Sequence, residues 1–355
     1  MIDRRTFLLT PLALLAAERK PNVVLVIAPG WRGVSTPWSS DPDLQAPNLA
    51  KFAESAAVFP RAYTCDPAAD PGRSGILTGR FPHATGVISD GAPIHPEEVT
   101  LDAVLRLGGY NIAANAGNLT PPFFLKITLD APRFSKPLDG SKLHLRPNVP
   151  ANMEGEARTE LANRYAVYAA MDQQFGKLLA SLDRFAADTV VIFTSDHGEQ
   201  LGSHGLEGAG VPYEESVRIP LAIRFPGVIH PAPSDVLASQ VDILPTVLAL
   251  CAQPAYAGIQ GHDLSPLLLN TEGDRPESLF AEGRIGDRDE WRMVMVGSDK
   301  LVVNNDGAVT EFYNLAADPY EMKNLAGDAA MQLQRDSLLA TLRALKGTLL
   351  DFKRR

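Results

Sequence analysis

Residues 23–33 read VVLVIAPGWRG, an unbroken apolar run, mostly β-branched, that stops at Pro29-Gly30. A short apolar run with no alternation, closed by turn residues, is the pattern of a strand buried on both faces, as in a parallel sheet. In open α/β sheets ligands gather beyond the carboxyl ends of such strands, yet this end offers a ligand no functional side chain. Pro at the second and Gly at the third position of Ala28-Pro29-Gly30-Trp31 instead predict a type II turn. Further strand-like runs, FFLKITL at 123–129, DTVVIFTS at 188–195 and PLAIRF at 220–225, alternate with helical patterns. Together they predict an α/β fold, a mostly parallel central sheet sandwiched by helices. The longest helix is expected over 157–185, where Leu161, Tyr165, Tyr168, Met171, Phe175, Leu178, Leu179 and Leu182 recur at three and four, the stripe of a helix lying on a sheet. The Pro-rich stretch at 136–150 reads as a crossing loop.

From about residue 275 the texture changes to short runs (LFAEG, WRMVMVG, KLVVN, TEFYNL) separated by turn residues and followed by a leucine-rich helix. This predicts a small C-terminal antiparallel sheet plus helix over 275–355, after an α/β domain over 20–274. The first residues, MIDRRTFLLTPLALLAAERK, carry Arg4-Arg5, an apolar stretch at 7–17 and small residues, the pattern of a twin-arginine export signal (1–17) cleaved near Ala17. That stretch is shorter than the roughly 20 residues of a membrane span, so the expected location is outside the cytoplasm, in a bacterial periplasm. Of 355 residues, 45% are hydrophobic, which suits a globular chain. The net charge of −9 and the lack of a Lys/Arg stripe argue against nucleic acid as a partner. Cys65 and Cys251 are far apart in sequence, and spacing alone leaves open whether they pair.

Several segments together resemble the sulfatase family, within the alkaline phosphatase superfamily. They are RKPNVVLVIA at 19–28, GRSGILTGRFPHATGV at 72–87, TVVIFTSDHGEQLGSHG at 189–205 and PYEESVRIPLAIRFPG at 212–227, then VDILPTVLAL at 241–250, GIQGHDLSPLL at 258–268 and KLVVNNDGAVTEFYNLAADPYEMKNLAGD at 300–328. They occur in the family's order over nearly the whole chain after the signal. The resemblance implies sulfuric ester hydrolysis with a divalent cation held by carboxylates, a formylglycine nucleophile made from Cys or Ser, and cationic groups around the sulfate.

The resemblance also marks departures. The two adjacent Asp ligands expected at the end of the first strand fall on Pro29 and Gly30, which cannot ligate through side chains. The nucleophile pattern falls on Ala69-Asp70-Pro71-Gly72-Arg73, and the methyl group of Ala69 cannot become an aldehyde. The family's Lys and His after the Gly-Tyr strand fall near Gly117 and Leu119, a His meets Arg133, and a Lys meets Ala209. Kept are Asp196 and His197, which the resemblance implies as metal ligands, and Arg73, implied to brace the formylglycine. Asp70 before Pro71 reads as a helix N-cap, Asp196 as a cap of its own loop, His197 and His204 as loop histidines, and Glu214 and Glu215 as ion-pair partners of Arg218. Arg73, Arg133 and His204 are the substrate-binding candidates. Calcium or magnesium, if bound, is expected to bind weakly. The expected function is a catalytically inactive sulfatase-family protein that binds a sulfated glycan or an active sulfatase relative. The competing expectation is a metal-dependent sulfuric or phosphoric ester hydrolase rebuilt around Asp196, His197, His204 and Arg133. Asn118-Leu119-Thr120 leads directly to Pro121, leaving out a long insertion usual in the family, so a shallow cleft is expected. Oligomeric state is not set by the sequence.

Overall fold

The computed structural model describes residues 20–132 and 137–349, so the expected export signal and Arg133 lie outside the described residues. Thirteen strands are assigned among them: β1 (Asn22–Ile27), β2 (Ala57–Val58), β3 (Ala62–Tyr63), β4 (Asn111–Ala113), β5 (Phe123–Thr128), β6 (Thr189–Thr194), β7 (Arg218–Ile219), β8 (Leu221–Arg224), β9 (Ala238–Ser239), β10 (Ser278–Gly283), β11 (Trp291–Val296), β12 (Asp299–Asn304) and β13 (Val309–Asn314). The main sheet has the order β2-β8-β6-β1-β5-β4. β1 sits inside it, parallel to β5 on one side and β6 on the other. All six residues of β1 and all six of β6 are buried, which is why their sequences are continuously apolar rather than alternating. The run at 220–225 forms β8, and it pairs antiparallel with β6, so the sheet is mostly rather than wholly parallel.

Four helices matter for the site: α1 (Ala69–Thr78), α2 (Glu154–Ser181), α3 (Ile243–Leu250) and α4 (Gln332–Leu349). Alternate residues of β1 feed two cores, one on each face of the sheet. Val23, Leu25 and Ile27 pack in a cluster with Ile76 of α1 and Leu244 and Val247 of α3. Val24 and Val26 join Tyr168, Met171 and Phe175 of α2 on the other face. The long helix therefore follows its predicted stripe, but it starts three residues earlier than expected and ends at Ser181, after which a 3-10 turn at Asp183–Asp188 carries Phe185 onto the same core. Buried Asp172 of α2 accepts the backbone amides of Leu49 (2.8 Å) and Asn48 (3.1 Å), supplying from a distant element the cap that the helix at Pro47–Ala53 lacks locally.

Strands β10 to β13 form a separate antiparallel sheet in sequential order. One face, with Phe280, Val294, Leu301 and Phe312, is covered by Leu338 and Leu342 of α4. The other, with Leu279, Met293, Met295 and Val302, packs on Tyr63 and Val217 of the main body. A third, three-stranded sheet of order β7-β3-β9 was not foreseen, because its two-residue strands leave no periodic signal. Cys65 and Cys251 are both buried and unpaired.

Tyr168 joins α2 to the turn after β1. Its ring stacks on Trp31 at 4.5 Å, and its hydroxyl donates to Gly30 O (2.9 Å) and accepts from Arg32 N (3.2 Å). Tyr168→Phe keeps the ring but leaves a buried carbonyl and amide unpaired, so it is expected to lower stability by about 1–3 kcal/mol in urea denaturation. An unchanged midpoint would show that this hydroxyl does not hold the turn.

Candidate functional site

The carboxyl ends of β1 and β6 lie side by side, and the residues after them build one polar knot. After β1 the chain turns at Ala28–Trp31 as expected: Trp31 N donates to Ala28 O (3.2 Å), and Gly30 has φ +67°, the left-handed region a type II turn needs at its third position. Ser195, just past β6, locks this turn, donating from Oγ to Ala28 O (2.6 Å) and accepting from Trp31 N (3.0 Å). Asp196 follows, fully buried. Its Oδ1 accepts from Gly30 N (2.9 Å) and His197 N (3.0 Å), and its Oδ2 accepts from the guanidinium of Arg73 (2.7 Å). Both carboxylate oxygens are thereby committed to donors inside the protein. The expectation that Asp196 caps its own loop holds, and the same group also holds the neighbouring turn and helix α1.

α1 delivers Arg73 because it approaches very closely. A Cβ on Gly72 would lie 2.4 Å from the carbonyl oxygen of Asp196, a distance that only glycine avoids without backbone movement. Ala69, at the position assigned to the nucleophile, is the first residue of α1. Asp70 is not the N-cap: the helix opens at Ala69 with no side-chain cap. Asp70 Oδ2 instead accepts from Gly91 N (2.8 Å), while Asp90 Oδ1 accepts from Asp70 N (2.9 Å), so the two carboxylates tie the 90–91 turn to the helix start. Arg73 also reaches Asp70 Oδ1 at 3.5 Å, a long, half-buried contact of little energetic weight.

The remaining sequence candidates divide. His197 stays beside Asp196, but its ring is turned to its own loop, with Nδ1 2.7 Å from Gly198 O. His204 lies in a different cluster. It stacks on Tyr213 at 3.9 Å, and its Nε2 sits 3.0 Å from the Asn148 amide, an arrangement in which the imidazole accepts. Burial lowers its pKa, keeping the ring neutral. The structure therefore brings Arg73, Asp196 and His197 together and leaves His204 elsewhere; Arg133 lies outside the described residues.

Two groupings escaped sequence reasoning. His204, Glu215 and Glu321 each offer a ligand atom within 4.8 Å of the others, but their charges are already met. Lys300 Nζ, completely buried on β12, lies 2.6 Å from Glu321 and 3.3 Å from Glu214, and Arg146 Nε lies 2.5 Å from Glu215. Glu214 and Glu215 thus find Lys300 and Arg146; the expected partner, Arg218, is 3.9 Å from Glu214 and not the main one. An apolar strand reading of KLVVN hid Lys300. The second grouping is Asp66 and Glu282, both buried, each with one carboxylate oxygen lacking a hydrogen-bond partner among the described residues. Glu282 Oε1 accepts from His83 N (3.0 Å). Burial and the Glu282 charge raise the pKa of Asp66 well above the ordinary carboxylate range.

A mostly parallel sheet with helices on both faces, carrying its polar residues at the strand ends and followed by a small antiparallel sheet, defines an alkaline phosphatase-like α/β protein. Residues 21–121 and 116–252 match the sulfatase family model, and residues 202–348 match the model described as N-sulphoglucosamine sulphohydrolase, C-terminal. The chain belongs to the sulfatase family. It is 26% identical to the ulvan-active sulfatase of Formosa agariphila over 91% of this chain and 80% of that protein. It is 31% identical to an endo-4-O-sulfatase of Bacteroides thetaiotaomicron over 60% of this chain and 50% of that one. A solved structure described in complex with its substrate D-glucosamine-2-N,6-O-disulfate superposes with a TM-score of 0.86 at 18% identity, covering 94% of this chain and 99% of that one. The phosphonate monoester hydrolase of Agrobacterium radiobacter gives 0.80 at 20% identity, over 92% and 96%.

The divalent cation implied by the family does not fit these residues. Calcium takes six to eight oxygens, and magnesium demands an octahedron. The strand ends offer two carboxylates, Asp196, whose oxygens already have three donors, and Glu199, which is paired with Arg164. In front of Gly30 the space is filled: a Cβ there would lie 2.7 Å from Glu199 Oε1 and 3.3 Å from an Arg164 nitrogen, because Glu199 and Arg164 form an ion pair at that spot.

The buried acids make a pH test. Because the pKa of Asp66 is raised in the folded protein, its contribution to stability is complete below the unfolded carboxylate value and is lost as pH rises through the folded one. Asp66→Asn is expected to gain on the wild type as pH rises from about 4, and to be the more stable of the two near pH 9 by a few degrees in Tm. Parallel curves for the two proteins would rule out a raised Asp66.

Proposed function

We propose that this protein is a non-hydrolytic member of the sulfatase family whose cleft binds a sulfated glycan. The observation that carries the reading is the state of Asp196. The carboxylate that follows β6 spends both oxygens on Gly30, His197 and Arg73, and α1 opens with Ala69, which carries only a methyl group. Ester hydrolysis of this type requires an activated nucleophile and a centre that takes up developing charge, and these groups act as a unit, so losing the nucleophile removes most of the rate. The rebuilt-hydrolase alternative calls for His204 to join Asp196 and His197, whereas His204 packs with Asn148 and Tyr213.

The glycan class comes from the relatives. Their names speak of ulvan and of 4-O-sulfate chemistry, and a structural neighbour was solved with a disulfated glucosamine. Arg73 is about one-third exposed in its side chain, which leaves part of its guanidinium available to an anion from solvent. We place the mature protein outside the cytoplasm, probing extracellular or periplasmic glycans, on the strength of Arg4-Arg5 and the apolar stretch at 7–17.

The purified protein is expected to hydrolyse neither aryl sulfate nor aryl phosphate above the level of Asp196→Ala, with or without calcium or magnesium. Calorimetric titration is expected to show binding of a sulfated oligosaccharide, lost on desulfation and weakened about tenfold or more in Arg73→Ala. Metal-dependent turnover abolished by Asp196→Ala would overturn this reading. Capture of an active sulfatase with no glycan binding would replace the glycan by a protein partner.

A further inference from the structure

The geometry points to Arg73 as the resident cation of this fold. We infer that its guanidinium takes over the charge-neutralising and strand-joining part that the family assigns to a divalent metal, so that the protein folds and stays folded without calcium or magnesium. Three observations converge. Asp196 is completely buried, and a buried carboxylate is costly unless a positive charge and hydrogen bonds compensate it. Arg73 supplies the charge at 2.7 Å, and Gly30 and His197 supply backbone donors at 2.9 and 3.0 Å. The helix carrying Arg73 is pressed against Asp196 at Gly72, so the guanidinium is held by the fold rather than by a free equilibrium with solvent.

A further observation lies on the opposite side of the turn. Glu199 and Arg164 pair in the space that a side chain at position 30 would enter. Arg73 pairs with Asp196 and Arg164 with Glu199 around the ends of β1 and β6, with the buried guanidinium of Arg32 close by, so a divalent ion placed among them would meet like charges and carboxylates already engaged. The deeper acidic cluster shows the same solution: Lys300 and Arg146 occupy the positions from which a cation would neutralise Glu214, Glu215 and Glu321. A tethered guanidinium differs from a metal ion in two measurable respects. Chelators cannot remove it, and its loss leaves Asp196 uncompensated within an otherwise intact pocket.

The experiment is thermal unfolding of the full exported chain in EDTA, in millimolar calcium and in millimolar magnesium, with calcium titration calorimetry beside it. The expected result is one Tm in all three conditions and no heat of calcium binding. Arg73→Ala is expected to lower Tm by about 5 °C or more, and Arg73→Ala combined with Asp196→Asn to recover most of that loss, because the second change removes the stranded charge. If Arg73→Ala does not fold, Asp196→Asn and the double variant are read: both are expected to fold, because neither leaves a buried carboxylate without its cation, and failure of both overturns the inference. A Tm raised by calcium in the wild type, or a double variant no more stable than Arg73→Ala, overturns the inference. Turnover on aryl sulfate is followed in the same samples. Turnover without any metal response would sink the non-hydrolytic reading and leave this one standing; a metal-dependent Tm without turnover would do the reverse.

Discussion

A single buried carboxylate organises the working end of this molecule. Asp196 follows the strand next to β1, and its three accepted hydrogen bonds reach the turn after β1, its own loop and the arginine of α1. A sheet of buried parallel strands leaves its ends to be closed by loops, and loops bring backbone amides that must find acceptors. Ser195 and Asp196 provide those acceptors, and the Tyr168 hydroxyl reaches in from α2 to accept from Arg32 N and donate to Gly30 O. Arg73 then neutralises the charge that this arrangement has drawn out of water. Remove the carboxylate and three segments lose their common partner.

The C-terminal sheet is attached by the same kind of chemistry on a larger scale. Apolar contact between Met293, Met295 and Val302 and the main body supplies area without direction. Direction comes from Lys300, buried on β12 and facing Glu214 of the main body and Glu321 from the loop after β13. Tyr63 adds a hydrogen bond to Glu214 at 3.2 Å, and Glu321 accepts from Glu214 N at 2.8 Å. Glu321 has a positive φ of 56°, a conformation costly for a non-glycine residue, and it is stabilised here by placing both carboxylate oxygens on donors. Polar networks of this sort fix register where hydrophobic packing tolerates sliding, provided each member is satisfied.

How much of this was legible in the sequence depends on the range of the interaction. VVLVIA announced a buried strand and Pro29-Gly30 a turn, because both follow from local sterics and composition. The α2 stripe was legible for the same reason, and its ends were not, since a helix and a 3-10 turn present similar apolar spacing over Leu182 and Phe185. Asp196 was read correctly as a cap because capping is local. Asp70 was misread by the same rule, as its acceptors are wanted by Gly91, about twenty residues away, rather than by its own helix. The partners of Glu214 and Glu215 lie on β12 and in the crossing loop, beyond any local rule. Lys300 sits beside the apolar run of β12, and its burial is made stable by Glu214 and Glu321, both distant from it in sequence or fold element.

The persistence of Asp196 and Arg73 beside Ala69, Pro29 and Gly30 has a physical reading that needs no catalysis. Losing a nucleophile to alanine leaves a small apolar surface and strands no charge. Losing two metal ligands at a strand end is likewise tolerable if the chain turns there and its amides find acceptors. Replacing Asp196 alone would orphan the Gly30 and His197 amides, and replacing Arg73 alone would leave a buried anion, so each holds the other in place. Two residues that look like remnants of a metal site can therefore be a finished structural pair, and their presence argues for the integrity of the fold more strongly than for any reaction at its cleft.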